Sequence, residues 1–321
     1  MSESTKGTLL LVDGLSMAFR AFFGLPVENF ATSTGVPTNA VYGFTTMLAT
    51  LLREHEPTHV AVAFDLPGGT FRTERLPSYK GTRDATPPEF EPQVPLIREV
   101  LGALRVPAVD KPNYEADDLL ATYARLGHEA GMRVLVVSGD RDTIQLVNGD
   151  VTLLYPRKGV SDLVRFTPDA VREKYGVDPG QYPDLAALVG ETSDNLPGVP
   201  GVGPKTAAKW IGVYGGLEGI LNSADDVPGK AGRACARTSS RCASTGSSTT
   251  CSRISRSPSR SRISSIPART RPRFTRSATR CSSARCATSS CRWRPMPGRP
   301  VPRPHPRSWC RPRAPSRRSP R

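Results

Sequence analysis

Nine carboxylates fall at five places in the chain where divalent-metal chemistry on a phosphate would need them. Asp13, Asp65 and Asp140 each follow a short apolar run, and Asp142 stands two residues after Asp140. Glu115, Asp117 and Asp118 lie together in YEADD, and Glu191 and Asp194 in GETSDN. An Asp after a strand is most often a turn former or a helix cap, and acids are ordinary in a helix's first turn. Gathered at one edge, however, these groups would repel one another, and the motifs bring no matching set of Lys or Arg to neutralise them. Divalent cations resolve that repulsion. Ligation by oxygen alone, without Cys or His, selects Mg²⁺ or Mn²⁺ over zinc. So many acids suit two ions, an arrangement that promotes in-line displacement at a phosphodiester with a metal-activated water as nucleophile. His55, His59 and His128 lie outside these motifs, so an imidazole base is not indicated.

For these groups to converge, the runs before them must be neighbouring strands. TLLLV (Thr8 to Val12), HVAVAF (His59 to Phe64), RVLVV (Arg133 to Val137) and Val151 to Leu154 are continuous rather than alternating apolar runs, as strands covered on both faces require. Between them Phe44, Met47, Leu48, Leu51 and Leu52 make one apolar helix stripe, and Leu96, Ile97, Val100, Leu101 and Leu104 a second. A third helix is expected to start near Tyr114 and run through Leu119, Leu120 and Tyr123. Strand and helix in alternation predict an α/β fold, a mostly parallel twisted sheet with helices on both faces that binds its ligand beyond the carboxyl ends of the strands. Residues 1–174 are expected to form this core, 175–228 a helical DNA-binding subdomain and 229–321 a disordered tail.

Two further stretches read as contacts to nucleic acid. The run from Leu196 to Thr206 is a glycine-rich turn opening a helix. Gly198, Gly201 and Gly203 let backbone N–H groups approach a phosphate, and Lys205 and Thr206 add a charge and a hydroxyl. Pro204 separates Gly203 from Lys205, so this is not a P-loop. Nothing in it reads a base edge, and the contact is expected to be independent of sequence. The plain alternative is a Gly/Pro loop between two helices. The polar connection over residues 66–90 is long enough to be functional. It carries Arg72, Arg75, Tyr79, Lys80 and Arg83, cations to grip a strand and a ring to stack on a base, unless it is simply a solvated surface loop. Arg20, soon after Asp13, is a further candidate to meet the scissile phosphate, and Arg20, Lys80 and Arg83 are the expected catalytic cations.

The 321 residues hold 44 Lys and Arg against 29 Asp and Glu, a net +15 that alone suggests a nucleic-acid binder. Its distribution matters more. Lys230 and 23 Arg, with no acid, lie in residues 229–321, so the tail carries +24 and residues 1–228 carry −9. The tail is rich in Arg, Ser and Pro, lacks Leu and cannot bury enough apolar surface to offset chain entropy. All seven Cys lie in it without C-x-x-C spacing, which supports neither a zinc site nor a disulfide framework. A Cys-free body fits a cytoplasmic protein, and a DNA partner would make it nucleoid-associated. No run approaches the ~18 apolar residues of a membrane span. No export signal is expected.

LVDG with Arg20, VYGF, AFD at Asp65, SYKGTR, YEADD, SGDRD and GETSDNLPGVPGVGPKTA occur in the order seen in the bacterial 5′ nuclease (5′–3′ exonuclease and flap endonuclease) family, which residues 7 to 225 resemble. More narrowly, they are similar to the exonuclease domain that precedes a polymerase domain in that family. The resemblance implies a PIN-like core and a monomer that cuts DNA at 5′ flaps, at nicked or branched duplex and at RNA primers paired to DNA, in replication and repair. It implies that Asp13, Asp65, Glu115, Asp117 and Asp118 serve one metal region and Asp140, Asp142, Glu191 and Asp194 the other. Glu191 departs from the Asp that many relatives carry there. Tyr79, Lys80 and Arg83 match the arch through which a free 5′ end passes. Gly198 to Lys205 match a helix–three-turn–helix that holds a K⁺ ion against duplex phosphates. Two other readings stay open: a non-catalytic DNA-junction binder and a PIN-like ribonuclease.

Members of that family continue past residue 228 with leucine-bearing helices, whereas here the composition changes just after PGKAG. Out-of-frame GC-rich codons yield Arg, Ser, Pro, Ala and Cys, so the tail reads as the product of a frameshift. Retranslating the coding DNA in the other two frames is expected to restore an acidic, leucine-bearing, helix-patterned continuation. If neither frame does so, the tail is a genuine basic segment that adds salt-sensitive DNA affinity.

Overall fold

The computed structural model describes residues 7–158 and 162–223, together with Val227, Gly246, Thr250 and Cys251. Six strands make one sheet: β1 (Thr8–Asp13), β2 (His59–Ala63), β3 (Ala108–Val109), β4 (Arg133–Val137), β5 (Val151–Lys158) and β6 (Asp162–Phe166). Their order is β3-β2-β1-β4-β5-β6. All neighbours are parallel except β6, which returns antiparallel to β5. The helices are α1 (Gly14–Gly24), α2 (Asn39–His55), α3 (Phe71–Arg75), α4 (Gln93–Ala103) and α5 (Ala116–Glu129), followed by α6 (Pro168–Tyr175), α7 (Tyr182–Val189), α8 (Pro204–Tyr214) and α9 (Leu217–Asn222).

The continuous apolar runs are the central strands, and both of their faces are covered. Leu9 and Leu11 of β1 and Val134 and Val136 of β4 pack with α5 and α7. Leu10, Val12, Leu135 and Val137 point the other way, against α1, α2 and α4. Side chains alternate across a strand, so a strand between two helical layers needs apolar residues at every position. The first expected helix stripe lies within α2 and the second within α4 except Leu104, which is the exposed residue just past its end, and the third helix is α5. Among the elements not anticipated are the two-residue edge strand β3, the returning strand β6, α3 inside the long polar connection and α6 after β6.

After β6 the architecture becomes helical without a break in the core. Val199, Val202, Trp210, Ile211 and Leu217 share one hydrophobic cluster with Leu9 and Val134. A short hairpin, Gly190–Glu191 with Leu196–Pro197, leads into the glycine-rich turn. Gly198 passes so close to the Val189 carbonyl that any Cβ there would collide with it. Gly201 sits at φ +83, a left-handed conformation that glycine adopts at no steric cost. Among the described residues, no helix is long and apolar enough to cross a membrane.

The tail expected to be disordered lies outside the described residues except at Gly246, Thr250 and Cys251. At those positions it touches the body. Cys251 is buried and its backbone N–H donates to Gln145 Oε1 at 2.8 Å, while the Thr250 carbonyl accepts from Arg72 at 3.2 Å. Composition cannot register such contacts, because they depend on single backbone groups meeting partners far away in sequence.

One buried polar pair organises the α1/α2/α4 layer. The N-cap residue of α2, Thr38, makes no side-chain cap bond. Instead Gln93 Oε1, from the start of α4, accepts from the Ala40 and Val41 amides at 2.8 and 3.3 Å. Gln93 Nε2 donates to Asn39 Oδ1 at 2.8 Å, and Asn39 Nδ2 donates to the carbonyls of Phe22 and Leu25 at the end of α1. Both side chains are fully buried. Replacing Gln93 by Leu keeps the volume but strands those donors and acceptors. The Gln93→Leu variant is expected to lose about 2–4 kcal/mol in urea unfolding. A loss below ~0.5 kcal/mol would show that the network is not needed.

Candidate active site

The carboxylates meet where the strand order reverses. From β1 the chain builds outward through β2 and β3, and it then returns to β4 on the other side, which leaves a crevice beyond the carboxyl ends of β1 and β4. Asp13 ends β1 and caps α1: its Oδ1 accepts from the Ser16 amide at 3.0 Å. Its Oδ2 accepts from Ser138 Oγ, at the end of β4, at 2.8 Å. The Ser138 hydroxyl also accepts from the Asp140 amide, and the Gly139 amide donates to Ser16 Oγ, each at 3.0 Å. Asp65, just past β2, accepts from the Ala116 amide at 2.6 Å and so fixes the start of α5. Asp140 caps the turn that follows, accepting from the Asp142 amide at 2.9 Å. Asp13, Asp65, Glu115, Asp117 and Asp140 line one cavity of about 260 Å³, together with Lys80 and Arg83.

The cavity is electrostatically unsatisfied. Burial, and then the Asp65 charge, lift the Asp13 carboxyl from its ordinary 3.8 to about 7. Burial also raises Asp65, Asp117, Asp140, Asp142 and Glu191, and neighbouring carboxylates add to the rise in each. Oδ1 of Asp117 and Oδ1 of Asp142 are buried with no hydrogen-bond partner. A carboxylate oxygen in that state is costly unless a proton or a cation meets it. Among the described residues no three acids are close enough to grip one ion directly, so an ion here would keep part of its water shell. The donor set is nonetheless oxygen-only and carries surplus negative charge, which fits a hard divalent cation.

The cations that temper this charge come from the connection over residues 66–90, and several of them are paired with the expected ligands themselves. Arg72, expected to grip DNA, is only 2% exposed and donates to both Asp118 oxygens, at 2.7 and 2.9 Å. Asp118, expected among the metal ligands, is therefore held by a two-pronged ion pair and by the Glu115 amide at 3.1 Å. Tyr79, expected to stack on a base, is buried with its hydroxyl donating to Glu115 Oε2 at 3.2 Å. Lys80 reaches Glu115 at 2.9 Å and Arg83 reaches Asp194 at 2.7 Å. Burial works to raise Glu115, but Lys80 and Arg72 outweigh it and hold the carboxyl below its usual range. The connection is thus no loose surface loop. It folds back because the first turn of α5 presents acids that need partners.

The remaining expected residues lie around this centre. Arg20 lines an adjoining cavity of about 410 Å³ with Phe19 and Phe23, sharing Ser16 and Gly139 with the carboxylate cavity. Glu191 lines a groove on the other side with Arg83 and Asp140, its Oε1 accepting from Ser193 Oγ at 3.2 Å. In the glycine-rich turn, Gly201, Gly203 and Lys205 are exposed and Thr206 is half-buried. Gly203 caps α8. Sequence reading missed Ser16 and Ser138, which position Asp13. The available signal was, for Ser138, a small hydroxyl residue directly after an apolar run, whereas Ser16 bonds Asp13 through its backbone amide, which residue type does not signal.

Residues 8–176 match the family described as "5′-3′ exonuclease, N-terminal resolvase-like domain" and residues 177–244 that described as "5′-3′ exonuclease, C-terminal SAM fold". The chain is 59% identical over 232 residues to the DNA polymerase I of Mycobacterium tuberculosis, covering 72% of this chain and 26% of that protein. It is 46% identical over 230 residues to the DNA polymerase I of Bacillus subtilis, with the same coverage. The chain therefore spans about a quarter of the length of these relatives. The bacteriophage T5 5′-exonuclease with bound divalent metal ions (zinc) superimposes with a TM-score of 0.62 at 23% identity, over 74% of this chain and 88% of that one. The T5 flap endonuclease in complex with DNA and metal ions gives the same score and identity, over 74% and 87%. These two share the fold.

The raised acids make stability depend on pH and on metal. Between pH ~4 and the Asp13 value of about 7, the folded chain keeps a proton that the unfolded chain has released. The stabilisation from that proton is complete below pH ~4 and is lost as pH rises toward 7. In EDTA, Tm is expected to fall between about pH 5 and pH 8, and added Mg²⁺ to restore it at pH 8. Asp117→Asn should raise the Tm of the metal-free protein at pH 8 and shrink the Mg²⁺ increment. Calorimetry checks both; a Tm at pH 8 indifferent to Mg²⁺ would contradict the metal assignment.

Proposed function

Because the chain belongs to the 5′–3′ exonuclease family, we propose that its carboxylate cavity hydrolyses DNA phosphodiesters beside free 5′ ends, as a 5′–3′ exonuclease and structure-specific flap endonuclease serving primer removal and repair. The observation that carries this reading is the pair of buried, unpartnered oxygens on Asp117 and Asp142, set among acids over which Lys80 and Arg83 are held. Among the acids, Asp117 feels Asp140, Asp13 and Asp65 most strongly, and Asp142 feels Asp140, Asp194 and Glu191. Two divalent ions, Mg²⁺ or Mn²⁺, would be held by those two groupings, which have Asp140 in common. When bound, such ions supply positive charge to phosphoryl oxygens and acidity to water.

The chain's own cations do the positioning. Without DNA, Lys80 and Arg83 neutralise Glu115 and Asp194. A phosphate entering the cavity competes for both, draws them onto itself and leaves the two acids open. Arg20 sits one cavity away, beside the path of a strand approaching Asp13. The exposed turn from Gly201 to Lys205, at the N-terminus of α8, meets duplex phosphates through backbone N–H groups and one ammonium, without reading sequence. A K⁺ ion at that turn belongs to the same proposal, as do action as a monomer and DNA as the partner. No polymerase activity is proposed for a chain that spans a quarter of its relatives.

The Lys80–Glu115 and Arg83–Asp194 pairs favour one other reading, a junction binder whose acids never take up metal. A 5′-flap duplex assayed with Mg²⁺ and with EDTA separates the two. Cleavage is expected with Mg²⁺ alone, and Lys80→Ala or Asp142→Asn should reduce kcat by roughly 100-fold or more. Binding without cleavage in Mg²⁺ would favour the binder. Preferential cutting of single-stranded RNA would favour a ribonuclease.

A further inference from the structure

A groove of about 440 Å³ leaves the carboxylate cavity on the β5 side, sharing Arg83, Gly139 and Asp140 with it and lined further by Arg141 and Tyr155. From Tyr155 four rings stand in series. Tyr155 and Phe166 have centroids 6.0 Å apart, Phe166 and Tyr175 6.1 Å, and Tyr175 and Tyr182 5.2 Å. Cations lie along that series. Lys174 Nζ is 4.8 Å from the Phe166 centroid and 5.3 Å from that of Tyr175, and Arg141 lines the groove beside Tyr155. Arg157 is exposed near the end of β5. Burial lowers the Lys174 ammonium, and Arg141 and Arg157 lower it further, so the three charges act on one another.

An ordinary solvated face would pair such groups with acids. Among the described residues, none of the three makes an ion pair, although Arg172 on the same helix as Lys174 is paired with both Asp169 and Asp178. A cation laid on aromatic faces, as Lys174 is, is also ordered in advance, which lowers the entropy cost of binding an anion. The rings hold the Lys174 ammonium on one side and leave its other side to meet an anion. We propose that Arg141, Arg157 and Lys174 form a phosphate ledge that carries the sugar–phosphate backbone of a DNA strand away from the carboxylate cavity, at phosphates other than the one that is cut. This rests on the nuclease reading for the identity of the strand. The contact is to backbone and is independent of base sequence.

The test uses the full chain and a fluorescent 5′-flap duplex, with Ca²⁺ replacing Mg²⁺ for binding and Mg²⁺ for cleavage. The double variant Arg157→Ala with Lys174→Ala leaves Arg141, next to two of the acids, untouched. It is expected to bind roughly three- to tenfold more weakly than wild type, with the slope of log K against log salt reduced by about 1.8 for two lost phosphate contacts. Comparing slopes cancels the contribution of the basic tail. Arg172→Ala should match wild type, and Arg157→Lys with Lys174→Arg should restore binding. Single methylphosphonates scanned along the flap duplex should include positions that weaken wild type but not the double variant. Equal affinity and equal salt slope in a folded double variant would overturn the ledge, even if wild type cuts the flap. A wild type that cuts nothing, while the double variant still loses affinity, would overturn the nuclease reading and leave the ledge standing.

Discussion

Mutual repulsion among buried carboxylates is the constraint around which this chain is organised. Asp13, Asp65, Asp117 and Asp140 are brought together by the sheet's own connectivity, because each follows or faces the carboxyl end of a parallel strand. The fold therefore cannot form without paying for their proximity, and the surrounding structure shows how the cost is met. Some oxygens are given fixed donors, such as Ser138 and the amides of Ser16, Ala116 and Asp142. Others are given cations from the 66–90 connection. What is left over is one unpartnered oxygen each on Asp117 and Asp142, a hard donor of the kind that suits divalent ions.

The cations are divided by burial into two kinds. Arg72 is sealed against Asp118 and belongs to the framework: a buried ion pair whose partner is removed leaves an uncompensated charge. Lys80 and Arg83 are more exposed and line the open cavity. The same connection thus supplies one buried charge that anchors the first turn of α5 and two more accessible charges at the cavity. Tyr79, between them, ties the two functions together through Glu115.

The sheet was legible because parallel strands between two helical layers leave a plain trace, uninterrupted apolar residues followed by Asp. The two-residue strand β3 leaves no such trace, since its place depends on pairing with Val62 and Ala63. The acids were legible as a set, whereas their individual duties were not. Nothing in YEADD distinguishes Asp117, with an unpartnered oxygen, from Asp118, gripped by Arg72, because the difference lies in a residue more than forty positions earlier. For the same reason Arg72 and Tyr79 looked like surface groups: a polar loop carries no periodicity from which burial can be read.

Gln93 has a consequence for the order in which the chain assembles. Helix α2 lacks a cap of its own, and the group that satisfies its first amides arrives from α4, more than fifty residues later. Until α4 docks, the α2 N-terminus is frayed, and with it the Asn39 bonds that close the end of α1. The α1/α2/α4 layer should therefore consolidate in one cooperative step rather than helix by helix. The exchange rates of the Ala40 and Val41 amides would then follow the opening of α4 instead of the melting of α2.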